Sequence, residues 1–98
     1  MKLRRKINKM LSVIDFWAEG CNPCKMLEPV LEELRTEYGF TLRKINIEEN
    51  QQLAQQYNVM SLPTIVFEED DKEVDRIVGF GSKESIEKII KQYDKIPD

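Results

Sequence analysis

Two kinds of hydrophobic spacing alternate along the chain. Residues 12–18 (Ser-Val-Ile-Asp-Phe-Trp-Ala) are apolar on both alternations, the pattern of a strand covered on both faces in a largely parallel sheet. Gly20 interrupts the run. Cys24, Leu27, Leu31, Leu34 and Tyr38 then recur at spacings of three and four, one stripe of a helix that Gly39 ends. Pro29 falls inside that helix and is expected to kink it, because its ring displaces a backbone hydrogen bond. Residues 41–47 read as a second strand, and residues 50–57 as a short helix anchored by Leu53, Ala54 and Tyr57. Pro63 opens a third strand over residues 64–67, a place where a strand tolerates proline. The acidic stretch 68–71 reads as a turn, and residues 73–78 as the returning hairpin strand, with Val74 and Val78 apolar. Gly79 and Gly81 punctuate the chain before Ser82. That serine can cap a last helix whose buried face is Ile86, Ile89, Ile90 and Tyr93. At the front, Leu3, Ile7, Met10 and Leu11 fall at helical spacing and predict a short amphipathic helix over residues 3–11.

The predicted order is a short helix followed by β-α-β-α-β-β-α. Strands alternating with helices imply an α/β fold with right-handed crossovers and helices on both faces of a central sheet, which the closing hairpin makes mixed. The 98 residues fit a single domain, and 41% apolar with 34% charged residues is an ordinary globular balance. A net charge of −3 argues against a nucleic-acid partner. The absence of histidine excludes Ser-His and Cys-His catalysis and the commonest metal ligand. The start is basic (Lys2, Arg4, Arg5, Lys6, Lys9), but the apolar stretch 10–14 runs into Asp15 without a small-residue cleavage site, so a signal peptide is not expected. No run approaches the length of a membrane span. The expected compartment is the cytosol, where an isolated close cysteine pair is more often catalytic or metal-binding than structural.

Candidate chemistry centres on Gly20-Cys21-Asn22-Pro23-Cys24, where a strand gives way to a helix. With Cys21 at the N-cap, Pro23 lies in the first turn, where its missing N–H costs no hydrogen bond. The unpaired first-turn amides and the helix dipole favour a Cys21 thiolate, lowering its pKa below the free value of about 8.5. Cys24, one turn in, is close enough to close a disulfide with modest adjustment. Cys21 then attacks a substrate disulfide, and Cys24 resolves the mixed disulfide and frees the reduced product. A pair of unreactive buried cysteines is the plainer alternative. A zinc half-site is the weaker one, since tetrahedral zinc wants four N or S ligands and the chain offers two sulfurs and no imidazole. Asp15 is odd on its own account: a charge inside an apolar strand has its pKa raised by desolvation, unless the strand end is solvated.

These motifs resemble the thioredoxin family. Val13-Ile14-Asp15-Phe16-Trp17-Ala18-Glu19 is similar to the family's stretch before the active site, and Cys21-Asn22-Pro23-Cys24-Lys25-Met26 to its active site and helix start. Pro29 matches its helix-kinking proline, Lys44-Ile45-Asn46-Ile47-Glu48 its next strand, Leu62-Pro63-Thr64 its cis-proline loop, and Gly79 a glycine near its substrate groove. The resemblance runs from about residue 12 to residue 94. It implies a thioredoxin-like fold on a four-stranded mixed sheet. Asp15 would be a buried carboxylate below Cys24 that relays a proton, with Lys44 as its charge partner; on its own, Lys44 reads as a surface lysine. Pro63 in cis would set the Leu62 backbone beside the active site for an extended substrate; without the resemblance it reads as trans. Trp17 would pack near the dithiol, and Met60, Gly79 and Phe80 would line the groove. Gly20, Asn22 and Pro23 would belong to the surface that meets substrate.

This chain departs from the family pattern in three places. Gly20 stands where the family usually has tryptophan, which strips apolar cover from the substrate surface. Asn22 stands where it usually has glycine. The sequence also begins too late for the family's first strand and full first helix, so residues 3–11 are expected to cover part of the exposed face; otherwise that face is a dimer or partner interface. The implied function is a monomeric protein-disulfide reductase without metal or cofactor other than the redox-active Cys21–Cys24 pair. A thioredoxin-reductase-like flavoprotein would recharge it. A glutaredoxin-like reductase recharged by glutathione and a non-catalytic binding module on the same fold are the alternatives.

Overall fold

A computed structural model describes residues 11–93. Its strands are β1 (Leu11–Trp17), β2 (Thr41–Asn46), β3 (Thr64–Glu69) and β4 (Lys72–Val78); its helices are α1 (Asn22–Tyr38), α2 (Gln51–Gln56) and α3 (Lys83–Tyr93). The strands form one sheet in the order β2-β1-β3-β4. β1 runs parallel to β2 and antiparallel to β3, and β3 runs antiparallel to β4, so the sheet is mixed as expected.

The two-sided burial of β1 follows from its place in the middle of this sheet. Leu11 and Val13 point into a cluster with Leu27, Leu31 and Leu34 of α1 and Ile86 and Ile90 of α3. Ile14 and Phe16 point the other way, against Leu53 and the Tyr57 ring beyond α2. By the strand's two-residue period, Asp15 and Trp17 share the α1 side. Leu31 is fully buried in the larger cluster. Leu31→Ala is expected to lower stability by about 2–5 kcal/mol in urea unfolding, with Glu33→Ala on the exposed side of α1 changing it little.

Several boundaries differ from the spacing-based expectation. Leu11, assigned above to a helix, begins β1 opposite Glu69; the rest of the predicted N-terminal helix lies outside the described residues. The third strand extends through Glu68 and Glu69, which the acidic composition had placed in a turn. The reason is a tight two-residue loop. Asp70 and Asp71 take φ of 51° and 65°, the paired left-handed conformation that suits a hairpin's twist, so pairing continues to Glu69↔Lys72. Glu68 is buried there and accepts a 2.6 Å hydrogen bond from the Tyr57 hydroxyl. A register shift at Phe67/Glu68 accompanies an outward Val78, while Val74 and Ile77 pack on the core.

α1 is continuous through Pro29, and Gly39 closes it in the left-handed conformation (φ 82°), donating its N–H to Arg35 O at 2.8 Å. Ser82 caps the last helix, its Oγ accepting from Ser85 N–H at 3.1 Å.

Candidate active site

The turn from β1 into α1 is built by three residues. Cys21 N–H donates to Ala18 O at 3.3 Å, and Gly20, third in that turn, takes φ of 81°, a conformation that side chains rarely adopt. Cys21 then caps α1 with extended backbone. Its Sγ accepts the Cys24 N–H at 3.3 Å, and a proline occupies the first turn. No acidic residue stands in that turn, so the positive end of the helix is left to the sulfur. Cys21 and Cys24 form a disulfide with their Cα atoms 5.3 Å apart. Cys24 is buried and Cys21 half-buried, while Asn22 and Pro23 lie exposed beside them.

Beside Cys24 lies a pocket of about 420 Å³, lined by Asp15, Trp17, Glu19, Cys24, Lys25, Glu28 and Lys44. Asp15 is 2% exposed, and its Oδ1 accepts no hydrogen bond among the described residues. Burial pushes its pKa from 3.8 up to about 6; the Lys44 charge opposes this and the Glu28 charge adds to it. Lys44 sits beside Asp15 in the β1–β2 register. Its ammonium, however, is bonded to Glu28 (3.0 Å) and to Glu32 across the α1 surface. These two contacts hold the Lys44 pKa above its ordinary value, the Glu32 bond contributing most. Lys44 therefore acts on Asp15 through space rather than by a direct ion pair.

The sheet register brings the other predicted positions to the same end of the fold. The last residues of β1 pair with the first of β3, and Thr64 pairs with Val78 at the end of β4. The dithiol turn and Gly79 thus follow β1 and β4, and Pro63 precedes β3, all at one end of the sheet. The Leu62–Pro63 bond is cis, and Gly79 N–H donates to Pro63 O at 2.7 Å. Pro63 is buried. The Leu62 side chain is half-buried and packs against the cluster of Ile14, Phe16 and Val66. Met60 is 90% exposed, and Phe80 and Val78 are also exposed. Glu28 and Glu32 were not singled out from the sequence, and Glu19 and Lys25 entered only as members of longer motifs. A signal for the first two was present: Cys24, Glu28 and Glu32 stand four apart, one row on a single helix face.

The thioredoxin family model matches residues 2–92. The chain belongs to the thioredoxin family. It is 49% identical over 84 residues to a thioredoxin of Chlamydia caviae, covering 85% of this chain and 82% of that one. To a thioredoxin of Staphylococcus aureus it is 39% identical over 90 residues, covering 90% and 86%. Among solved structures, a mutant thioredoxin from Halobacterium salinarum superposes with a TM-score of 0.86 at 33% identity, covering 95% of this chain and 82% of that one. Fasciola hepatica thioredoxin gives 0.81 at 33%, covering 94% and 88%. The chain is a thiol–disulfide oxidoreductase of the thioredoxin type, and Cys21–Cys24 has the spacing and bonding of its redox-active pair. Thioredoxins need no cofactor, and membership implies disulfide substrates and a thioredoxin reductase as partner. No cluster of metal-binding side chains occurs among the described residues.

Proposed function

We propose that the chain reduces protein disulfides as a monomer in the cytosol, with Cys21 as attacking thiolate and Cys24 as resolving thiol. The carrying observation is the Cys21 sulfur at the head of α1, bonded to Cys24 and accepting its N–H at 3.3 Å. In the reduced chain the Cys21 thiolate attacks one sulfur of a substrate disulfide. The substrate S–S bond breaks, and the departing thiolate takes a proton from solvent. Cys24 then gives its proton to the Asp15 carboxylate, and its thiolate attacks Cys21 Sγ. The second substrate thiolate leaves, and the Cys21–Cys24 disulfide remains. Two electrons have passed to the substrate, and the flavoprotein reductase returns them. The thioredoxin family match favours this donor over glutathione.

Trp17, Met60, Pro63, Gly79 and Phe80 are proposed to meet the substrate at the end of the sheet where the dithiol turn begins. One chain carries both sulfurs and the proton acceptor, which supports action as a monomer. The cytosol is proposed because its reducing poise would keep such a pair in the dithiol form. The test is alkylation of the reduced chain with iodoacetamide across pH, read by mass spectrometry. Cys21 is expected to react first, with a midpoint well below the free-thiol value of about 8.5. A Cys21 midpoint at that free value, or faster modification of Cys24, overturns the assignment.

A further inference from the structure

We propose that Glu28 is a positioning residue for the resolving step: its carboxylate draws the Lys44 ammonium to the rim of the pocket and leaves Asp15 facing Cys24 without a direct cationic partner. The inference rests on Asp15 accepting the Cys24 proton. Glu28 stands one helical turn beyond Cys24 on the same face of α1 and lines the same pocket as Asp15, Cys24 and Lys44. Its Oε2 accepts a 3.0 Å hydrogen bond from Lys44 Nζ, and Glu32, a further turn on, takes the same ammonium. Lys44 is the β2 neighbour of Asp15, and its four-carbon stem can turn toward either side. The α1 carboxylates decide which side. Asp15 Oδ1 is left buried and unbonded among the described residues.

The groups around Asp15 are few. From α1 come Cys24, Lys25 and Glu28; from the turn after β1, Glu19; from β2, Lys44. β3 presents Ile65 opposite it, with no charge. An ammonium bonded directly to Asp15 would lower the affinity of its carboxylate for a proton and weaken it as the base for Cys24. A nearby negative charge does the reverse, and Glu28 supplies it while also engaging the cation. Burial supplies most of the proton affinity at this base, and a residue that touches neither substrate nor sulfur adjusts it.

The test is a carboxyl-carbon NMR titration of Asp15 in the oxidised chain. Glu28→Gln is expected to lower the Asp15 midpoint by about half a pH unit, the scale of one screened charge near a buried carboxylate. Glu28→Gln with Glu32→Gln lowers it further, because Lys44 is then free to reach Asp15. Lys44→Met raises it. Glu28→Asp stays near wild type. Packing damage alone would not move the midpoint in opposite directions for the two partners of one ion pair. An Asp15 midpoint that stays put or rises in Glu28→Gln overturns the proposal. The pH profile of mixed-disulfide resolution, followed by stopped flow, is expected to move with the midpoint; a profile that stays still overturns the role in the resolving step. Asp15→Asn separates the two readings. If it leaves the profile unchanged, Asp15 is not the acceptor. If it removes the pH dependence while Glu28→Gln does nothing, Glu28 alone has been misassigned.

Discussion

Cys21→Ser is expected to drop insulin-disulfide reduction to the rate of dithiothreitol alone, while Cys24→Ser accumulates a mixed disulfide with substrate. The two outcomes differ because the sulfurs occupy different electrostatic positions. Position 21 receives the Cys24 N–H at the head of α1, and a serine hydroxyl there does not ionise near neutral pH, so the attacking anion is lost. Cys24→Ser keeps that anion. The first exchange proceeds, and nothing then displaces the captured substrate. Insulin turbidity follows the first variant, and non-reducing mass spectrometry of the second finds the adduct on Cys21. Retention of turnover by Cys21→Ser would remove the reductase mechanism, and an adduct on another residue would do the same.

Asp15→Asn is expected to stabilise the oxidised chain at pH 8 by up to ~3 kcal/mol and to change it little near pH 4. The folded carboxyl holds its proton to about pH 6, the unfolded one only to its ordinary 3.8. Below that lower value both states are protonated, and ionisation costs the fold nothing. As pH rises from there toward 6, the unfolded chain gives up the proton first and gains relative stability. Above 6 the loss is complete, and a difference of about two pH units corresponds to ~3 kcal/mol. Asparagine has no charge to bury, so the stability gap between variant and wild type opens across that window. Urea unfolding at the two pH values measures it. On the proposed role of Asp15 as acceptor of the Cys24 proton, the same variant should also resolve mixed disulfides more slowly at neutral pH. A gain in stability coupled to a loss of turnover marks a residue kept for chemistry. Equal stability gaps at pH 4 and pH 8 would show that Asp15 is not held with a raised pKa.

Much of this is legible in the amino-acid sequence. The two-sided apolar run around Phe16 reported a strand in the middle of a sheet, and the stripe from Cys24 to Tyr38 reported α1. The Cys21–Cys24 spacing reported the dithiol. Local composition misled where pairing overrode it. Glu68 and Glu69 look like turn residues, but their backbone is held between β1 and β4, and the Tyr57 hydroxyl satisfies the buried Glu68. Leu11 fits a helical stripe as well as a strand alternation, and its pairing with Glu69 decides between them. The direction of the Lys44 side chain was not legible. Register fixes its Cα beside Asp15, whereas its ammonium goes to whichever carboxylates the packing of α1 over the sheet brings within reach. Sequence spacing shows that Glu28 and Glu32 share a face with Cys24, but not that this face overlooks β2.

The order of the sheet leaves β2 and β4 as its margins among the described residues. An outermost strand offers unpaired backbone to any neighbouring molecule with an extended segment of its own. Here the margins carry Arg43 and Lys44 on one side and Lys72, Glu73, Asp75 and Arg76 on the other, and the β4 margin is further bent by its irregular register. A foreign strand laid along either margin would have to strip water from those charges. Charge on both margins therefore opposes fibrillar growth along the flanks of the fold.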